Sequence, residues 1–225
     1  SRFLETRLRK ASGLSYPIGM TIRFIYFDLG RVLLDFTHER GFAQIASLTG
    51  VSDDAVRHAL FDTGLSDRYD TGELSTAEFH REFCELTKTS PTVEELSTAW
   101  SDIFELIPAT ITLATSLKSA GNRIGILSNT CEAHWEYAAN RFRILSQIFD
   151  PVITSYEVGA MKPSREIYDA AAAAVGNVKP DEIFFVDDRS ENVDGAKEAG
   201  WRASLFQGAL PLADELEGMG VVFNR

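Results

Sequence analysis

Residues able to carry chemistry follow the hydrophobic segments of this sequence at four separate places. Asp28 and Ser128 each end an apolar run, Lys162 stands between a third run and the helical segment after it, and Asp187 and Asp188 follow a fourth run. If these runs are parallel strands, their carboxyl ends meet at one edge, which is where ligands bind in open α/β sheets. We therefore expect the five side chains to form one site.

Three carboxylates at one edge repel each other strongly unless a cation lies between them, and their hard oxygen atoms favour Mg²⁺. A magnesium ion with a lysine and a serine hydroxyl nearby suits a phosphate group, because the cations neutralise its oxygens and the hydroxyl donates a hydrogen bond. An aspartate there can attack phosphorus without a base, since its carboxylate is already ionised at neutral pH. Each residue alone is more typical of a turn or helix cap, so the prediction rests on their common edge.

The elements that position these residues follow from the hydrophobic pattern. Residues 23–28 are aromatic and β-branched, which is typical of a buried strand. After Pro108, strand-like runs at 124–127, 152–154, 183–186 and 203–206 alternate with helical segments. This alternation predicts an α/β protein with a parallel sheet and helices on both faces.

A helical segment interrupts this pattern after the first strand. Ser75 with Glu78 and Thr92 with Glu95 have the spacing of capping boxes, each followed by apolar residues on one helix face, such as Phe79, Phe83 and Leu86 after the first box. We expect a small antiparallel helical bundle inserted into the α/β core. The expected organisation is a tail at residues 1–20, a core at 21–35 and 107–225, and the helical insertion at 36–106.

Four motifs in order resemble the signature of the haloacid dehalogenase superfamily. They are FDLGRVLLD at residues 27–35, LSNT at 127–130, MKP at 161–163, and VDD at 186–188 with Asn192. The resemblance covers the chain from about residue 21 and implies a Rossmann-like core with a small helical cap. The form DLG followed by VLLD looks most like the bacterial subgroup that contains α-D-glucose-1-phosphate phosphatases.

The resemblance implies a role for each matching position, with Mg²⁺ as cofactor. Asp28 would be the nucleophile and a metal ligand, and Lys162 would hold it together with the phosphate. Ser128 would bind the phosphoryl group, with Asn129 beside it. Asp188 and the Gly30 carbonyl would ligate the metal, and Asp187 would do so directly or one layer further out. Asn192 would orient the carboxylates, and Arg31 would contact substrate or form a surface ion pair.

One position departs from the family pattern. Phosphatases of this superfamily usually carry a second aspartate two residues after the nucleophile, which protonates the leaving oxygen and then activates water. Here that position is Gly30. We also expect aspartate to fit poorly there, because glycine adopts backbone angles that aspartate tolerates badly. His38 and His134 are candidate replacement acids, although each is more typical of a helix surface.

Three interpretations of Gly30 follow. A phosphatase can act on a leaving group that needs little protonation, such as the hemiacetal oxygen of a sugar 1-phosphate. A non-catalytic relative can bind a phosphorylated ligand or a partner. A metal-independent 2-haloacid dehalogenase needs no proton for halide, but such enzymes generally lack the acidic pair that Asp187 and Asp188 provide. We favour the phosphatase.

Within the expected cap, residues 67–72 form a polar turn where this family usually selects its substrate, although an ordinary turn between helices has the same composition. Trp100 is expected to be a core residue. Cys131 follows the LSNT motif and is expected near the site, with no role that requires it to react.

Composition excludes several other classes of protein. The formal charge is 22 minus 33, or −11, which argues against nucleic acid or an anionic membrane as the main partner. The longest apolar run is six residues, 170–175, where a membrane span needs about 18. Two cysteines make no disulfide framework, so we expect a cytoplasmic protein. We also expect a monomer or homodimer that acts on a small phosphorylated metabolite. Residues 1–19 are basic but lack the apolar stretch of a signal peptide, and Met20 is a candidate natural start.

Overall fold

A computed structural model describes residues 21–224, and the tail expected at 1–20 lies outside the described residues. The strands that it contains run Phe24–Phe27 (β1), Leu34–Phe36 (β2), Phe104–Leu106 (β3), Ile124–Ser128 (β4), Val152–Thr154 (β5), Ile183–Asp187 (β6) and Arg202–Leu205 (β7). Five of them form one parallel sheet in the order β5-β4-β1-β6-β7. The prediction of an α/β protein with a parallel sheet is confirmed.

The central strands explain why the hydrophobic runs were so clear. All residues of β1, β4 and β6 are buried, as expected of strands covered on both faces. Their bounds differ from the expected runs by only one or two residues. The apolar side chains of the sheet belong to two clusters, one containing Phe27, Ile126 and Val186 and the other containing Phe24, Tyr26 and Phe185.

Helices fill the connections between the strands. They run His38–Thr49 (α1), Asp53–Arg57 (α2), Leu65–Asp70 (α3), Thr76–Thr87 (α4), Val93–Ser101 (α5), Pro108–Ser119 (α6), Glu132–Arg141 (α7), Ile144–Ile148 (α8), Ser155–Val158 (α9), Arg165–Ala174 (α10), Ser190–Glu198 (α11) and Ala209–Gly218 (α12). A π-helical segment, His58–Asp62, continues directly from α2, and a short 3₁₀ segment, Pro180–Glu182, precedes β6. Among the described residues no helix has the length and apolar character needed to cross a membrane.

The helices α1 to α5 share an apolar cluster of their own, which includes Phe42, Phe83 and Trp100 together with Cys131 at the start of α7. Both capping boxes are present, at Ser75 before α4 and at Thr92 before α5. The expectation for Leu86 is wrong, because its side chain is exposed while Phe79 and Phe83 are buried. Leu86 lies in the last turn of α4, beyond the part of the helix that the cluster covers.

A two-stranded antiparallel ribbon marks the two chain crossings into this helical segment. β2 pairs with β3, with Leu34 opposite Leu106 and Phe36 opposite Phe104. The sequence pattern did not reveal this ribbon, because three-residue strands carry too little alternation to be distinguished from loops. The expected boundaries at residues 35–36 and 106–107 fall within it or at its end. We propose that the ribbon joins cap to core.

Gly125 in β4 gives a test of the sheet packing. A Cβ atom at Gly125 would lie 2.5 Å from the carbonyl oxygen of Pro151 and 2.9 Å from Cε1 of Tyr26. Because one neighbour is backbone, Gly125→Ala should lower the free energy of unfolding by about 1–3 kcal/mol or more, measured by urea denaturation. Gly218→Ala is the matched control, since Gly218 is exposed, ends α12 and has open space around it. Equal stability of the two variants would contradict this packing.

Candidate functional site

The sheet brings the predicted residues to one edge. Asp28 follows β1, Ser128 ends β4, and Asp187 ends β6 with Asp188 next to it. Lys162 lies in the loop between α9 and α10. β1 is hydrogen-bonded to both β4 and β6, so the three strand ends are neighbours. Asp28, Ser128, Lys162 and Asp188 all line one cavity of about 460 Å³.

The Lys162 side chain is the centre of this edge. Its Nζ donates hydrogen bonds to Asp28 Oδ1 at 2.6 Å, Asp187 Oδ2 at 2.7 Å and the Leu127 carbonyl oxygen at 2.9 Å. The lysine side chain is 1% exposed and that of Asp187 is 0% exposed. All three protons of the ammonium group therefore have acceptors inside the protein.

Burial and charge act against each other at these groups. Burial raises the pKa of Asp28 above its ordinary value, and Asp187 raises it further, while Lys162 opposes both. Burial by itself lowers the pKa of Lys162, but the two carboxylates outweigh it and the net shift is upward. Burial and Asp187 also raise the pKa of Asp188. Burial is the larger cause of the upward pKa shifts of Asp28 and Asp188, and the negative charge of Asp187 adds to it.

The three carboxylates form a cluster that can hold a metal ion, with one oxygen from each of Asp28, Asp187 and Asp188 within 4.8 Å of one another. Both oxygens of Asp187 already accept hydrogen bonds, Oδ2 from Lys162 and Oδ1 from the Arg189 amide at 2.9 Å. Asn192 Nδ2 lies 3.0 Å from each of these oxygens. Asp188 is exposed, and Asp187 is fixed by its neighbours.

Asn129 does not have the surroundings of a residue that only contacts substrate. Its Nδ2 donates to the Lys162 carbonyl oxygen at 2.9 Å, and its Oδ1 accepts from the Lys162 amide at 2.8 Å. The amide group therefore holds the Lys162 backbone from both sides. Ser128, by contrast, is buried, and its hydroxyl makes only a long contact of 3.4 Å to the Asn129 carbonyl oxygen. That hydroxyl has a proton to offer to a ligand.

The structure corrects the reason why a side chain at position 30 is disfavoured. Gly30 is absent from the residues with positive φ, whereas Arg31 has φ 58°. The obstacle is steric, because a Cβ atom at Gly30 would lie 2.9 Å from Cε1 of Phe36. Arg31 lies over the Phe36 ring at 4.7 Å and forms an ion pair with Asp35. Arg31 thus lines the cavity while its charge is already paired.

Neither histidine is on a helix surface. His134 is buried, and its Nε2 donates to the Trp100 carbonyl oxygen at 3.2 Å. Burial lowers the pKa of His134 to about 3 and also lowers the pKa of His38. Both line the cavity, and Trp100, the expected core residue, is buried and lines it too. The protonated form is therefore disfavoured at both imidazoles, and the Nε2 proton of His134 is already donated to a carbonyl oxygen.

Asp70 is the cavity residue whose surroundings the sequence did not reveal, although it falls within the polar turn at residues 67–72. Burial raises the pKa of its carboxyl group to about 7, Asp67 raises it further and Cys131 lowers it. Cys131 lies beside this carboxyl group, and burial raises the pKa of its thiol, so it is unreactive. The glycine at position 72 is the feature of that turn that indicates a close approach to another segment. A Cβ atom there would lie 2.1 Å from the Tyr156 carbonyl oxygen.

The structure therefore places an edge of acids around a buried lysine at the carboxyl ends of a parallel sheet in an α/β protein. A family model of haloacid dehalogenase-like hydrolases matches residues 78–200, which is more than half of the chain. The chain therefore belongs to the haloacid dehalogenase-like hydrolase family.

Two curated relatives are phosphatases. The chain is 28% identical over 186 residues to D-ribitol-5-phosphate phosphatase of Bacteroides thetaiotaomicron, covering 80% of this chain and 89% of that protein. It is 29% identical over 214 residues to glyceraldehyde 3-phosphate phosphatase of Methanothermobacter thermautotrophicus, covering 86% and 89%. Neither name mentions glucose 1-phosphate, and that finer resemblance stays a prediction.

A solved structure shares the fold. It is a haloacid dehalogenase family enzyme from Bacteroides thetaiotaomicron in complex with magnesium and inorganic phosphate, with a TM-score of 0.72 and 23% identity. The alignment covers 83% of this chain and 95% of that one.

The Phe36 ring beside Gly30 gives a testable packing prediction. The ring is held by Arg31 on one side and by edge contacts with His38 at 5.2 Å and Phe104 at 5.8 Å. Gly30→Ala should therefore lower the free energy of unfolding by about 1–3 kcal/mol. In a Phe36→Leu background the same change should cost about 1 kcal/mol less, a coupling that urea denaturation of the double-mutant cycle measures. Equal costs in both backgrounds would show that Phe36 is not the obstacle.

Proposed function

We propose that this protein is a Mg²⁺-dependent phosphatase that hydrolyses a small phosphorylated metabolite through a phosphoaspartate on Asp28. The observation that carries the proposal is the Lys162 ammonium group held between Asp28 and Asp187, with Asp188 at the same edge. The two phosphatases that match this chain over 89% of their own lengths support the proposal.

The donor set fits a divalent cation. Three carboxylates and one ammonium carry −3 + 1 = −2 charges, which a divalent ion neutralises. All the donors are oxygen atoms, which is the set that Mg²⁺ prefers. Asp28 and Asp188 would hold the ion directly, together with the Gly30 carbonyl, while Asp187 is occupied by Lys162, Asn192 and the Arg189 amide. The bound ion would neutralise phosphate oxygens and hold them near Asp28.

The chain's own groups then account for the first chemical step. The Asp28 carboxylate attacks phosphorus while Lys162 neutralises charge on the nucleophile and the phosphate. The Ser128 hydroxyl donates a hydrogen bond to a phosphate oxygen. Asn129 and Asn192 position Lys162 and Asp187 through the hydrogen bonds described above. Arg31 contacts substrate only if it gives up its ion pair with Asp35.

The two alternative functions differ in how they account for the acidic residues of the site. A metal-independent 2-haloacid dehalogenase gives no reason for the cost of keeping Asp187 and Asp188 together. A non-catalytic phospholigand-binding protein is favoured by one observation, the glycine at position 30. The phosphatase explains more, because a nucleophile, a lysine and a metal cluster are all in place. Turnover of any phosphorylated metabolite in a screen with Mg²⁺ separates the two, and haloacid turnover without metal would revive the dehalogenase.

The substrate class is a small phosphate ester. The sugar 1-phosphate expectation rested on an enzyme without an acid, acting on a leaving group that depends less on protonation. The two relatives are named for ribitol 5-phosphate and glyceraldehyde 3-phosphate, which are esters of primary alcohols. We include both classes in the proposal, and leaving groups of unequal acidity distinguish them. Cytoplasmic location and a monomeric or dimeric state stay predictions.

Removal of the nucleophile gives the first functional prediction. Asp28→Asn keeps the shape of the side chain and removes the attacking charge, so kcat should fall on the order of 10³-fold or more. Asp169→Asn, which changes an exposed carboxylate paired with Arg165, is the matched control and should keep full activity. Both variants should show cooperative thermal unfolding. An active Asp28→Asn enzyme, measured by phosphate release, would overturn the mechanism.

Metal binding gives a prediction that does not require turnover. An ion that binds only the folded protein raises the free energy of unfolding, by about 2.7 kcal/mol at about a hundred times its Kd. Mg²⁺ should therefore raise the Tm of the EDTA-treated protein and restore phosphate release. Asp188→Asn should lose most of this shift, whereas Asp194→Asn, an exposed carboxylate on α11, should keep it. Full activity in EDTA would contradict the magnesium assignment.

A further inference from the structure

Position 30 offers no donor for the proton that the leaving oxygen needs. Which residue donates it instead is a question that rests on the proposed phosphatase function. In-line displacement places the nucleophile and the leaving oxygen on opposite sides of phosphorus. Asp28 lies at the sheet edge, so the leaving oxygen faces away from that edge. The remaining cavity wall comes from the helical segment, through residues such as Ser66, Asp67 and Asp70.

That wall and its rim offer few groups with a transferable proton. His134 is neutral and its Nε2 proton is already donated to the Trp100 carbonyl oxygen. His38 is half-buried between aromatic rings, stacked on Trp100 at 5.7 Å, and burial lowers its pKa. Asp67 is exposed to solvent. Asp70 is the more buried of the two carboxyl groups of α3.

The backbone of Asp70 is fixed to the loop that binds phosphate. The Ser155 hydroxyl donates to the Asp70 carbonyl oxygen at 2.6 Å, and the Thr130 amide donates to that hydroxyl oxygen at 2.9 Å. Thr130 is two residues after Ser128. Two hydrogen bonds therefore connect the end of α3 to the loop that carries the phosphate-binding hydroxyl.

The residues on either side of Asp70 are held against the core as well. The Tyr69 hydroxyl accepts from the Ala133 amide at 3.1 Å. Gly72 lies so close to the Tyr156 carbonyl oxygen that no Cβ atom fits between them. The position of Asp70 relative to Ser128 is thus determined by contacts on both sides.

We propose that Asp70 is the general acid and base of the reaction, supplied by the helical segment in place of an aspartate at position 30. In the first step the Asp28 oxygen forms a bond to phosphorus, the bond from phosphorus to the leaving oxygen breaks, and that oxygen takes the Asp70 proton. In the second step the Asp70 carboxylate takes a proton from water, and the water oxygen forms a bond to phosphorus. The bond from phosphorus to Asp28 breaks, which releases phosphate and leaves Asp70 protonated again.

The environment of Asp70 suits this cycle. Burial and the nearby Asp67 raise the pKa of its carboxyl group to about 7, opposed by Cys131. A group with a pKa near the working pH gives and takes a proton with similar ease, which is the property that general acid–base catalysis requires.

The test compares leaving groups of different acidity. Asp70→Asn keeps the side-chain shape and removes the exchangeable proton. The kcat/KM, which reports transfer to Asp28 and not the later hydrolysis common to all substrates, should fall about 10²-fold or more on D-ribitol 5-phosphate, whose leaving group is an alkoxide. The kcat/KM on p-nitrophenyl phosphate, whose leaving group needs no proton, should fall far less. Glu73→Gln, an exposed carboxylate paired with Arg68 just past Gly72, is the charge control and should leave both rates unchanged.

The outcomes separate this proposal from the function itself. A wild-type protein that releases phosphate from no substrate would overturn the proposed function. If the wild type is active and Asp70→Asn loses kcat/KM equally on both substrates, or on neither, Asp70 is not the acid while the phosphatase stands. Asp70→Glu should recover part of the ribitol 5-phosphate rate, which a structural role for Asp70 would not require.

A second measurement needs no variant and can overturn the proposal even if Asp70→Asn does not fold. In the wild type, the logarithm of kcat/KM should depend only weakly on the acidity of the leaving group across aryl and alkyl phosphates. A steep dependence would show that no group protonates the leaving oxygen and would overturn the proposal.

Discussion

The buried ammonium group of Lys162 is the interaction on which the rest of the site depends. Without it, Asp28 and Asp187 would face each other as buried anions, at a cost that a protein of this size does not tolerate. Its three acceptors come from β1, β6 and the end of β4, so the lysine joins the neighbouring strands at their carboxyl ends. The requirement is mutual, because Asp28 and Asp187 are also what keeps this buried lysine charged.

The surrounding residues serve this arrangement more than they serve the ligand. Asn129 holds the Lys162 backbone from both sides, and Asn192 fixes Asp187. Asp188 and the Ser128 hydroxyl are left with capacity for a cation and a phosphate. Substitution of either asparagine would therefore change the geometry around Asp28. Asn129 was expected to bind substrate, but its side chain makes hydrogen bonds to the Lys162 backbone and so positions that residue.

The sequence predicted the features that are determined locally. The buried strands carry continuous apolar runs, and the polar residues at their ends follow directly, so the common edge of Asp28, Ser128 and Asp187 could be inferred from order alone. The β2–β3 ribbon, the partial burial of Asp70 and the Phe36 ring beside Gly30 depend on contacts between segments far apart in the chain. No local pattern encodes them, and the reason given for Gly30 was wrong for the same reason.

Gly30, Phe36 and Asp70 together bear on where the general acid of the site can be located. The Phe36 ring fills the space that a side chain at position 30 needs, and β2 holds that ring against Phe104 on β3. An acid supplied by the helical segment is free of this conflict. It is also in place only while α3 is bound to the core through Ser155 and Ala133. Closure of the cavity over a substrate and delivery of the proton would then be the same event, which keeps bulk water out of the site while the phosphoryl group is transferred to Asp28.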